Sequence, residues 1–454
     1  SSQDTRGLDN FQEIDQVGMA APVSKYATMV RHIGHLPHEV NKAISLTVTG
    51  RPGPVHLTIP ADIFNAIVNE NNLRQALPPA EVVYNCPGDS DLIKDAVKVL
   101  SSAKKPFMVI GSGLFYSKAW ESLAEFAKLT DIPIVSHIWD RGCVEQVIPQ
   151  YMGVTNSELN FAMQKLSEAD AVLVAGARID YRLSCGLPPG FPKDAKVIRV
   201  DVEPSEINRV LIPDIGIVGD PRSVIGQMVQ ESKSLKWDNS DWLAEVTKTR
   251  DELIHKWDNL CYEDVCPVPS LRLIREIKKF LDKDVTFLLD GGNIGRWAHM
   301  MLFDRHPSHW FTCGASGVVG WGLPGAVALK LARPDKPLLL LSGDGAAGFT
   351  ISEIETALRF GTPYVAVIAH DSAWGIVADG QGDECHVACE LGEIRFDRVA
   401  QALGAEGIFI EDPRSIAPSI EWALQSNKVV IIHVPTQLAG ISLWEERFGS
   451  GSCK

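Results

Sequence analysis

Two acidic residues follow apolar runs at positions where they can bind a metal ion and a phosphate. Asp344 lies in the glycine-rich segment 342–348, directly after the leucines at 338–341. Asp371 follows a second apolar run at 364–369. If both runs are parallel strands, their carboxyl ends lie at one edge of a sheet, where phosphorylated ligands bind. The two carboxylates therefore predict a site for Mg²⁺ or Ca²⁺, and the cation in turn bridges a diphosphate.

The triplet Gly343-Asp344-Gly345 and the later pair His370-Asp371 resemble the cofactor motif of thiamine-diphosphate-dependent enzymes, in particular the acetolactate synthase-like group. The spacing of the two acids and the intervening segment 353–363 match that pattern as well. The family usually has Asn-Asn where this chain has His370-Asp371, but an aspartate oxygen also ligates a metal. The resemblance implies thiamine diphosphate and Mg²⁺, with Asp344, Asp371 and the Ala373 carbonyl as metal ligands. The role of His370 stays open between tuning Asp371, contacting substrate and packing.

The resemblance also assigns residues to the cofactor itself. The segment 317–324 is similar to the stretch beneath the thiazolium ring, where Val319 would wedge the cofactor into a bent shape and the Gly317 carbonyl would accept from the pyrimidine amino group. Without the motif around Asp344, a tight strand–helix packing corner would be the preferred interpretation of this segment. The residues assigned to the cofactor are Gly292, Asn293, Gly317, Val319, Gly343, Gly345, Ala346, Trp374, Gly375 and Ile376.

Three functions remain open on this resemblance. The first is a transferase that decarboxylates a 2-oxo acid and joins the remainder to a carbonyl acceptor, and the second is a lyase or decarboxylase. The third is a cofactor-binding chain without catalysis, because the family's activating glutamate lies early in its first domain and no glutamate here matches it. Glu13 lies in a different motif. We therefore expect a fragment of a larger enzyme, inactive alone, and leave the catalytic residue unassigned.

Alternating strand and helix patterns predict an α/β fold of three doubly wound parallel-sheet domains, the first one incomplete. The expected domains are a partial pyrimidine-binding-type domain at 1–68, a central nucleotide-binding-like domain at 89–230 and a diphosphate-binding domain at 268–437. The predicted strands are 55–60, 106–110, 132–136, 171–175, 197–201, 285–289, 338–341, 364–369 and 429–434. Helices are predicted over 36–48 and 91–101 and within 231–266.

The central block carries turn residues that indicate a second cofactor. Gly111-Ser112-Gly113, Gly176-Ala177-Arg178 and Asp201 each follow a predicted strand, where nucleotides bind. Some relatives bind FAD in this domain, some bind ADP and others have an empty domain. The resemblance favours FAD, although the glycines lack the third spaced glycine of a dinucleotide fingerprint and turn glycines in an empty domain remain the alternative.

Composition excludes several partners. The 454 residues carry a formal charge of −14, which argues against nucleic acid and anionic membranes, and no apolar run is long enough to span a bilayer. The nine cysteines are odd in number and scattered, which favours reduced thiols and a cytoplasmic location. The resemblance implies a small 2-oxo acid substrate and a homodimer or homotetramer.

Two clusters have metal-ligand residue types. Cys385, His386 and Cys389 lack a fourth ligand, so free thiols on a loop are the favoured interpretation. His32, His35 and His38 recur at three-residue intervals, but Pro37 interrupts the helical face, which favours structural or solvated histidines.

Overall fold

The protein is built from parallel strands alternating with helices. A computed structural model describes residues 1–69, 86–257, 261–282, 284–305, 309–381 and 386–438. The strands are β1 (Tyr26–Met29), β2 (Val55–Thr58), β3 (Pro106–Ile110), β4 (Ile134–Ser136), β5 (Tyr151–Val154), β6 (Ala171–Ala175), β7 (Lys196–Asp201), β8 (Ile215–Val218), β9 (Thr286–Leu289), β10 (His309–Thr312), β11 (Leu338–Gly343), β12 (Val365–His370), β13 (Glu406–Phe409) and β14 (Val430–Pro435). The α-helices are α1 (Gln16–Ala20), α2 (Leu36–Val48), α3 (Ala61–Phe64), α4 (Ser90–Ser102), α5 (Ser112–Tyr116), α6 (Trp120–Thr130), α7 (Pro204–Ile207), α8 (Pro221–Ser232), α9 (Ser240–Trp257), α10 (Ser270–Lys278), α11 (Asn293–Met301), α12 (Gly322–Ala332), α13 (Asp344–Phe349), α14 (Glu353–Phe360), α15 (Gly375–Gln381), α16 (Phe396–Ala402) and α17 (Ile416–Gln425).

The strands form three sheets within the described residues. β1 and β2 pair in parallel as a small two-stranded sheet. The central sheet has the order β5-β4-β3-β6-β7-β8, and the C-terminal sheet has the order β10-β9-β11-β12-β14-β13. Every pairing in both six-stranded sheets is parallel. The α/β, doubly wound fold class is therefore confirmed, with the N-terminal block contributing the two-stranded sheet.

The interior strands are apolar because both of their faces are covered by helices. In β11, Leu339 and Leu341 join the core on one face of the sheet, and Leu338 and Leu340 join the core on the other. All four are buried. Since side chains alternate between the faces of a strand, a continuous apolar run is what a doubly covered strand requires. Burying each leucine contributes about 2 kcal/mol, which fixes the strand whose end carries Asp344.

The strands predicted from sequence are all present, with ends shifted by two residues or fewer. The helix predicted over 36–48 coincides with α2, and the polar stretch 231–266 contains α9. Five further strands were not predicted, namely β1, β5, β8, β10 and β13. Those in the six-stranded sheets lie at the edges. No helix among the described residues combines the length and the apolar character that a bilayer crossing needs.

Arg141 ties the central sheet to the C-terminal sheet. Its buried guanidinium donates to the carbonyl of Phe303 at 3.1 Å and to that of Arg305 at 2.6 Å. It also lies 4.9 Å from the ring centre of Tyr151 and 5.2 Å from that of Trp310. A buried cation with carbonyl acceptors in the segment after α11, and with Trp310 of β10 beside it, holds the two six-stranded sheets together.

Candidate cofactor and metal site

The two acids predicted to bind a metal lie at the ends of neighbouring strands. β11 pairs in parallel with β12, and Gly343 is opposite Ala369 in the register. Asp344 is the first residue of α13, and Asp371 follows the last residue of β12. The fold therefore delivers both side chains to the same carboxyl edge of the C-terminal sheet.

Hydrogen bonds join the two acids into one turn. Asp344 Oδ1 accepts from the Gly345 amide at 2.7 Å, and Asp344 Oδ2 accepts from the Ser372 amide at 2.8 Å. Asp371 Oδ1 accepts from the Ala373 amide at 3.2 Å. Ser372 has a φ of 57°, so the chain turns sharply between Asp371 and Ala373. The turn after β12 is thus fastened to the end of β11.

The charges of this pair are poorly compensated by the protein. Burial raises the pKa of Asp344 to about 6. Burial, and then the charge of Asp344, raise the pKa of Asp371 to about 7. A divalent cation would reverse both shifts because it stabilises the charged carboxylates. Among the described residues no third Asp, Glu, His or Cys completes a side-chain metal cluster, so backbone carbonyl, diphosphate and water oxygens would fill the remaining positions. That donor set fits Mg²⁺.

We predict that the metal-free protein loses stability as the pH rises. An Asp pKa raised from about 3.9 in the unfolded chain means that the folded state binds protons more tightly. This stabilisation is complete below about pH 4 and is lost as the pH rises through the folded-state values of about 6 and about 7. Thermal unfolding between pH 5 and pH 8, in EDTA and in Mg²⁺ with thiamine diphosphate, measures it. The ligands should flatten this pH dependence, and equal slopes in both conditions would contradict the prediction.

Glycines at two strand ends permit a close approach of the backbone. The Gly343 amide donates to the Gly291 carbonyl at 3.0 Å, and a Cβ on Gly343 would lie 3.1 Å from Cα of Gly292. Gly292 has a φ of +114°, a conformation that L side chains rarely adopt. Asn293 follows as the buried first residue of α11. The predicted residues Gly292, Asn293 and Gly343 therefore lie together beside the acids.

Gly375, the first residue of α15, lies against both Asp371 and Asn293. A Cβ there would be 2.7 Å from Asp371 Oδ2 and 3.0 Å from the Asn293 Cβ. The missing side chain thus leaves room for the carboxylate on one side and for α11 on the other.

We predict that Gly375→Ala weakens Mg²⁺ binding by about tenfold, because the added methyl group displaces the Asp371 carboxylate. Titration calorimetry in the presence of thiamine diphosphate measures the change. Gly348→Ala is the matched control, since a Cβ at Gly348 in the neighbouring helix α13 would meet nothing within 4 Å. If Gly375→Ala and Gly348→Ala bind Mg²⁺ with equal affinity, the space at Gly375 is not needed to position the Asp371 carboxylate.

Apolar side chains border the acids. The Trp374 ring packs on Gly345, where a Cβ would lie 2.5 Å from a ring carbon, and its centre is 5.7 Å from that of Phe349. Val319 is 42% exposed and Ile376 is 47% exposed, so both keep surface available for a ligand. Val319 methyl groups are 3.5 Å and 3.6 Å from the position of a Cβ on Gly291.

The remaining predicted residues lie near this border. Ala346 is a buried residue of α13, and its Cβ is 3.8 Å from the position of a Cβ on Gly291. Gly317 has a φ of +61°, with nothing within 4 Å of an added Cβ. The buried residue Ala373 pairs as an isolated bridge with Glu390, which supports the turn after β12 from outside.

Asp290 is a site residue whose role sequence reasoning missed. Its buried carboxylate accepts from the amides of Gly291 at 2.6 Å, Gly320 at 3.3 Å and Gly322 at 2.9 Å. It therefore fastens the segment that carries Gly317 and Val319 to the end of β9. An acid at a strand end followed by two glycines is a signal for a functional turn, but its distant partners are not visible in the sequence.

Comparison with known proteins places this geometry in a family. Residues 93–228 match the thiamine pyrophosphate enzyme central domain, and residues 290–434 match the thiamine pyrophosphate enzyme C-terminal TPP binding domain. The chain belongs to the thiamine-diphosphate-dependent enzymes. The second match covers both acids and the Asp290 turn.

Similar curated proteins are acetolactate synthases and a carboligase. The chain is 29% identical over 446 residues to acetolactate synthase isozyme 3 large subunit of Escherichia coli K12, covering 94% of this chain and 76% of that protein. It is 28% identical over 437 residues to glyoxylate carboligase of Escherichia coli O157:H7, covering 91% and 72%. It is 27% identical over 452 residues to the probable acetolactate synthase large subunit of Methanococcus aeolicus, covering 94% and 74%. Within its family, the chain is thus acetolactate synthase-like.

A cleft of about 270 Å³ lies beside the central sheet, and residues from the N-terminal and C-terminal parts of the chain also line it. Its lining includes Arg51, Arg178 and Asp201. Burial, and then the neighbouring charge of Arg51, lower the pKa of Arg178, so an anionic ligand would relieve crowded positive charge.

The glycines predicted to approach a nucleotide in this cleft have a structural explanation. A Cβ on Gly111 would lie 2.6 Å from the Gly176 carbonyl oxygen, and one on Gly113 would lie 2.6 Å from the Gly176 Cα. The Ser112 amide donates to Asp140 Oδ2 at 3.0 Å. Both glycines thus allow two turns to pack together, whether or not a ligand binds.

Of the other two candidate ligand clusters, the cysteine cluster contacts the site, since the Trp374 amide donates to the Cys389 carbonyl at 2.8 Å. The rings of His32 and His35 are 5.5 Å apart, and His32 Nδ1 accepts from the Gly34 amide at 3.1 Å. Cys385 lies outside the described residues. Cys389 is buried as a free thiol that donates to the Val387 carbonyl at 3.4 Å.

Proposed function

We propose that the protein is a thiamine-diphosphate-dependent carboligase of 2-oxo acids. The observation that carries this proposal is the turn after β12, where Asp344 accepts from the Ser372 amide and Asp371 accepts from the Ala373 amide. Both acids have a raised pKa, and a divalent cation would reverse the two shifts. The names of the similar proteins, acetolactate synthase and glyoxylate carboligase, support the same chemistry.

In this proposal, Asp344, Asp371 and the Ala373 carbonyl hold Mg²⁺, while Gly292, Asn293, Gly343 and Ala346 surround the diphosphate. The bound cofactor supplies an electron sink for decarboxylation of a 2-oxo acid. Asp290 positions the segment with Gly317 and Val319 beneath the cofactor ring. Trp374 and Ile376 form the apolar border that excludes water from the substrate. The proposed domains are 1–68, 89–230 and 268–437.

The product of pyruvate tests the proposal. The complete gene product, supplied with Mg²⁺ and thiamine diphosphate, should convert pyruvate to acetolactate and carbon dioxide in a ratio of one to one. Acetaldehyde and carbon dioxide without acetolactate would instead establish a decarboxylase. Metal-dependent cofactor binding without conversion of pyruvate or glyoxylate would establish a cofactor-binding subunit and overturn the enzymatic proposal.

The exposed apolar border supports a homodimer or homotetramer. Val318 is 54% exposed, Phe349 is 65% exposed and Val377 is 52% exposed, and all three flank the proposed cofactor site. A second copy that covers this border would complete a dry cavity. Light scattering after size exclusion tests it: a monomer at micromolar concentration would contradict this part of the proposal.

We also propose FAD for the central cleft, on the basis of the crowded arginines there. Protein purified without added flavin should show flavin absorbance after denaturation, whereas ADP or no released nucleotide would overturn the assignment.

The cysteines that the structure describes as free thiols support our proposal of a reducing, cytoplasmic location.

A further inference from the structure

A chain of hydrogen bonds, buried at its centre, runs from the turn after β12 to Asp397 in α16 and to Arg395 at the start of that helix. Ser372 Oγ is 3.1 Å from His370 Nε2, and His370 Nδ1 is 2.8 Å from His433 Nε2. His433 Nδ1 is 3.1 Å from Asp397 Oδ1. Arg395 closes the chain with two hydrogen bonds to the Asp397 carboxylate, at 2.8 Å and 2.7 Å.

The sheet register and the packing account for this arrangement. β14 lies between β12 and β13, and His433 is opposite Ile368, two residues before His370. The two imidazoles are therefore diagonal neighbours on one face of the sheet. Phe396 packs edge-on against both rings, with centres 5.7 Å from His370 and 5.9 Å from His433. The histidines and Asp397 are each at most 8% exposed, so they bond to one another in place of water.

The direction of the hydrogen bonds follows from the ionised end of the chain. Although burial opposes it, hydrogen bonds from Arg395 and His433 lower the pKa of Asp397 to about 2, so its carboxylate only accepts. His433 must then donate from Nδ1, and its neutral ring accepts at Nε2 from the His370 Nδ1 proton. His370 is left with an acceptor at Nε2, which accepts a hydrogen bond from the Ser372 hydroxyl at 3.1 Å and also lies 3.6 Å from Asp344 Oδ2.

We propose that Asp397 and His433 are positioning residues that fix the tautomer and the ring orientation of His370. His370 in turn holds Ser372, the residue with a φ of 57° between Asp371 and Ala373. As a result, the Ser372 amide keeps its hydrogen bond to Asp344 Oδ2. The proposed metal ligands Asp344 and Asp371 therefore stay aligned. This inference rests on the proposed function because the aligned ligands are those of the proposed metal site.

A double-mutant cycle tests the proposal by measuring Mg²⁺ affinity with thiamine diphosphate present. Asp397→Ala should weaken Mg²⁺ binding by about tenfold in the chain with His370, as expected for loss of an outer partner of metal ligands. In a His370→Asn background the same change should have less than about a twofold effect, because an amide has no tautomer to fix. Equal weakening in both backgrounds would show a general structural role and overturn the proposal, as would unchanged affinity in both.

Asp412→Ala is the matched control. It removes a second pairing of aspartate with arginine, between Asp412 and Arg414 in the same domain, in which Arg414 donates to both carboxylate oxygens at 2.7–3.0 Å. That pair is exposed, and affinity should not change. If Asp412→Ala weakens Mg²⁺ binding as much as Asp397→Ala does, then loss of any aspartate–arginine pair in this domain is enough to weaken it. That result would overturn the proposal.

The tautomers provide a readout that does not depend on catalysis or on bound metal. In metal-free protein labelled with ¹⁵N-histidine, His370 and His433 should both carry their proton on Nδ1, and Asp397→Ala should produce mixed tautomers at both rings. A proton on Nε2 of His370 in the unaltered protein would overturn the proposal. If the tautomers are as expected and pyruvate is nevertheless not converted, the proposed function is wrong, but the positioning role of Asp397 and His433 is supported.

Discussion

Replacing Asp344 with asparagine is expected to weaken Mg²⁺-dependent binding of thiamine diphosphate by more than about 100-fold, the largest effect on cofactor binding that we predict. Divalent cations of this type bind through charged oxygen ligands, and even outer partners of such ligands contribute about 10–100-fold to affinity. Asp344 supplies one of the two side-chain charges, and its Oδ2 also holds the turn that carries the other. The substitution therefore removes a ligand and loosens the position of Asp371.

Titration calorimetry at pH 8 with saturating cofactor measures this loss, and circular dichroism establishes that the variant is folded. Asp412→Asn is a suitable control because its carboxylate is paired with Arg414 on the exposed surface of the same domain. Asp371→Asn should reproduce the effect of Asp344→Asn. If Asp344→Asn binds the cofactor as tightly as the unaltered protein, the metal site proposed here is wrong.

The interior of both large sheets could be predicted from the sequence because its physical requirement is local. A strand covered on both faces needs an unbroken apolar run, and 171–175 and 338–341 are such runs. The amphipathic helix predicted over 91–101 corresponds to α4. Asp89 accepts from the amides of Asp91 and Leu92 at the start of α4.

The edges of the sheets could not be predicted in this way. β5, β8, β10 and β13 are the outer strands of the two six-stranded sheets, and each is four residues long. An outer strand has one neighbouring strand, so its sequence is less constrained. β8 and β13 each include a glycine, β10 begins with a histidine, and β5 contains Gly153 at a φ of +106°. Pairing with an apolar neighbour, rather than composition, makes these segments strands.

The candidate site divides in a similar way. Asp344 and Asp371 were predicted because each lies at the end of an apolar run in a short motif. Asp397 and His433 were not predicted, because their connection to His370 depends on β14 pairing beside β12. The order of strands in a sheet is a property of the whole domain, and single-sequence patterns do not determine it.

Removing the Asp290 carboxylate should lower the free energy of unfolding by about 3 kcal/mol, the largest effect on stability that we predict. Three amide donors, from Gly291, Gly320 and Gly322, would lose their acceptor, and each unsatisfied buried donor costs about 1–3 kcal/mol. Relaxation of the segment and entry of water offset part of that sum. Urea unfolding followed by tryptophan fluorescence measures the change in Asp290→Ala.

Two matched variants separate this role from a general effect of removing an acid near β9. Asp290→Asn keeps one acceptor oxygen and should lose less stability than Asp290→Ala. Asp284→Ala removes an acid near the opposite end of the same strand, where its exposed carboxylate pairs with Lys336, and should change stability by less than about 0.5 kcal/mol. Asp290→Ala should also weaken thiamine diphosphate binding, since the released segment carries Gly317 and Val319. A variant that is destabilised but binds the cofactor normally would show that Asp290 supports the fold alone, because the segment it anchors would then make no contribution to the ligand site.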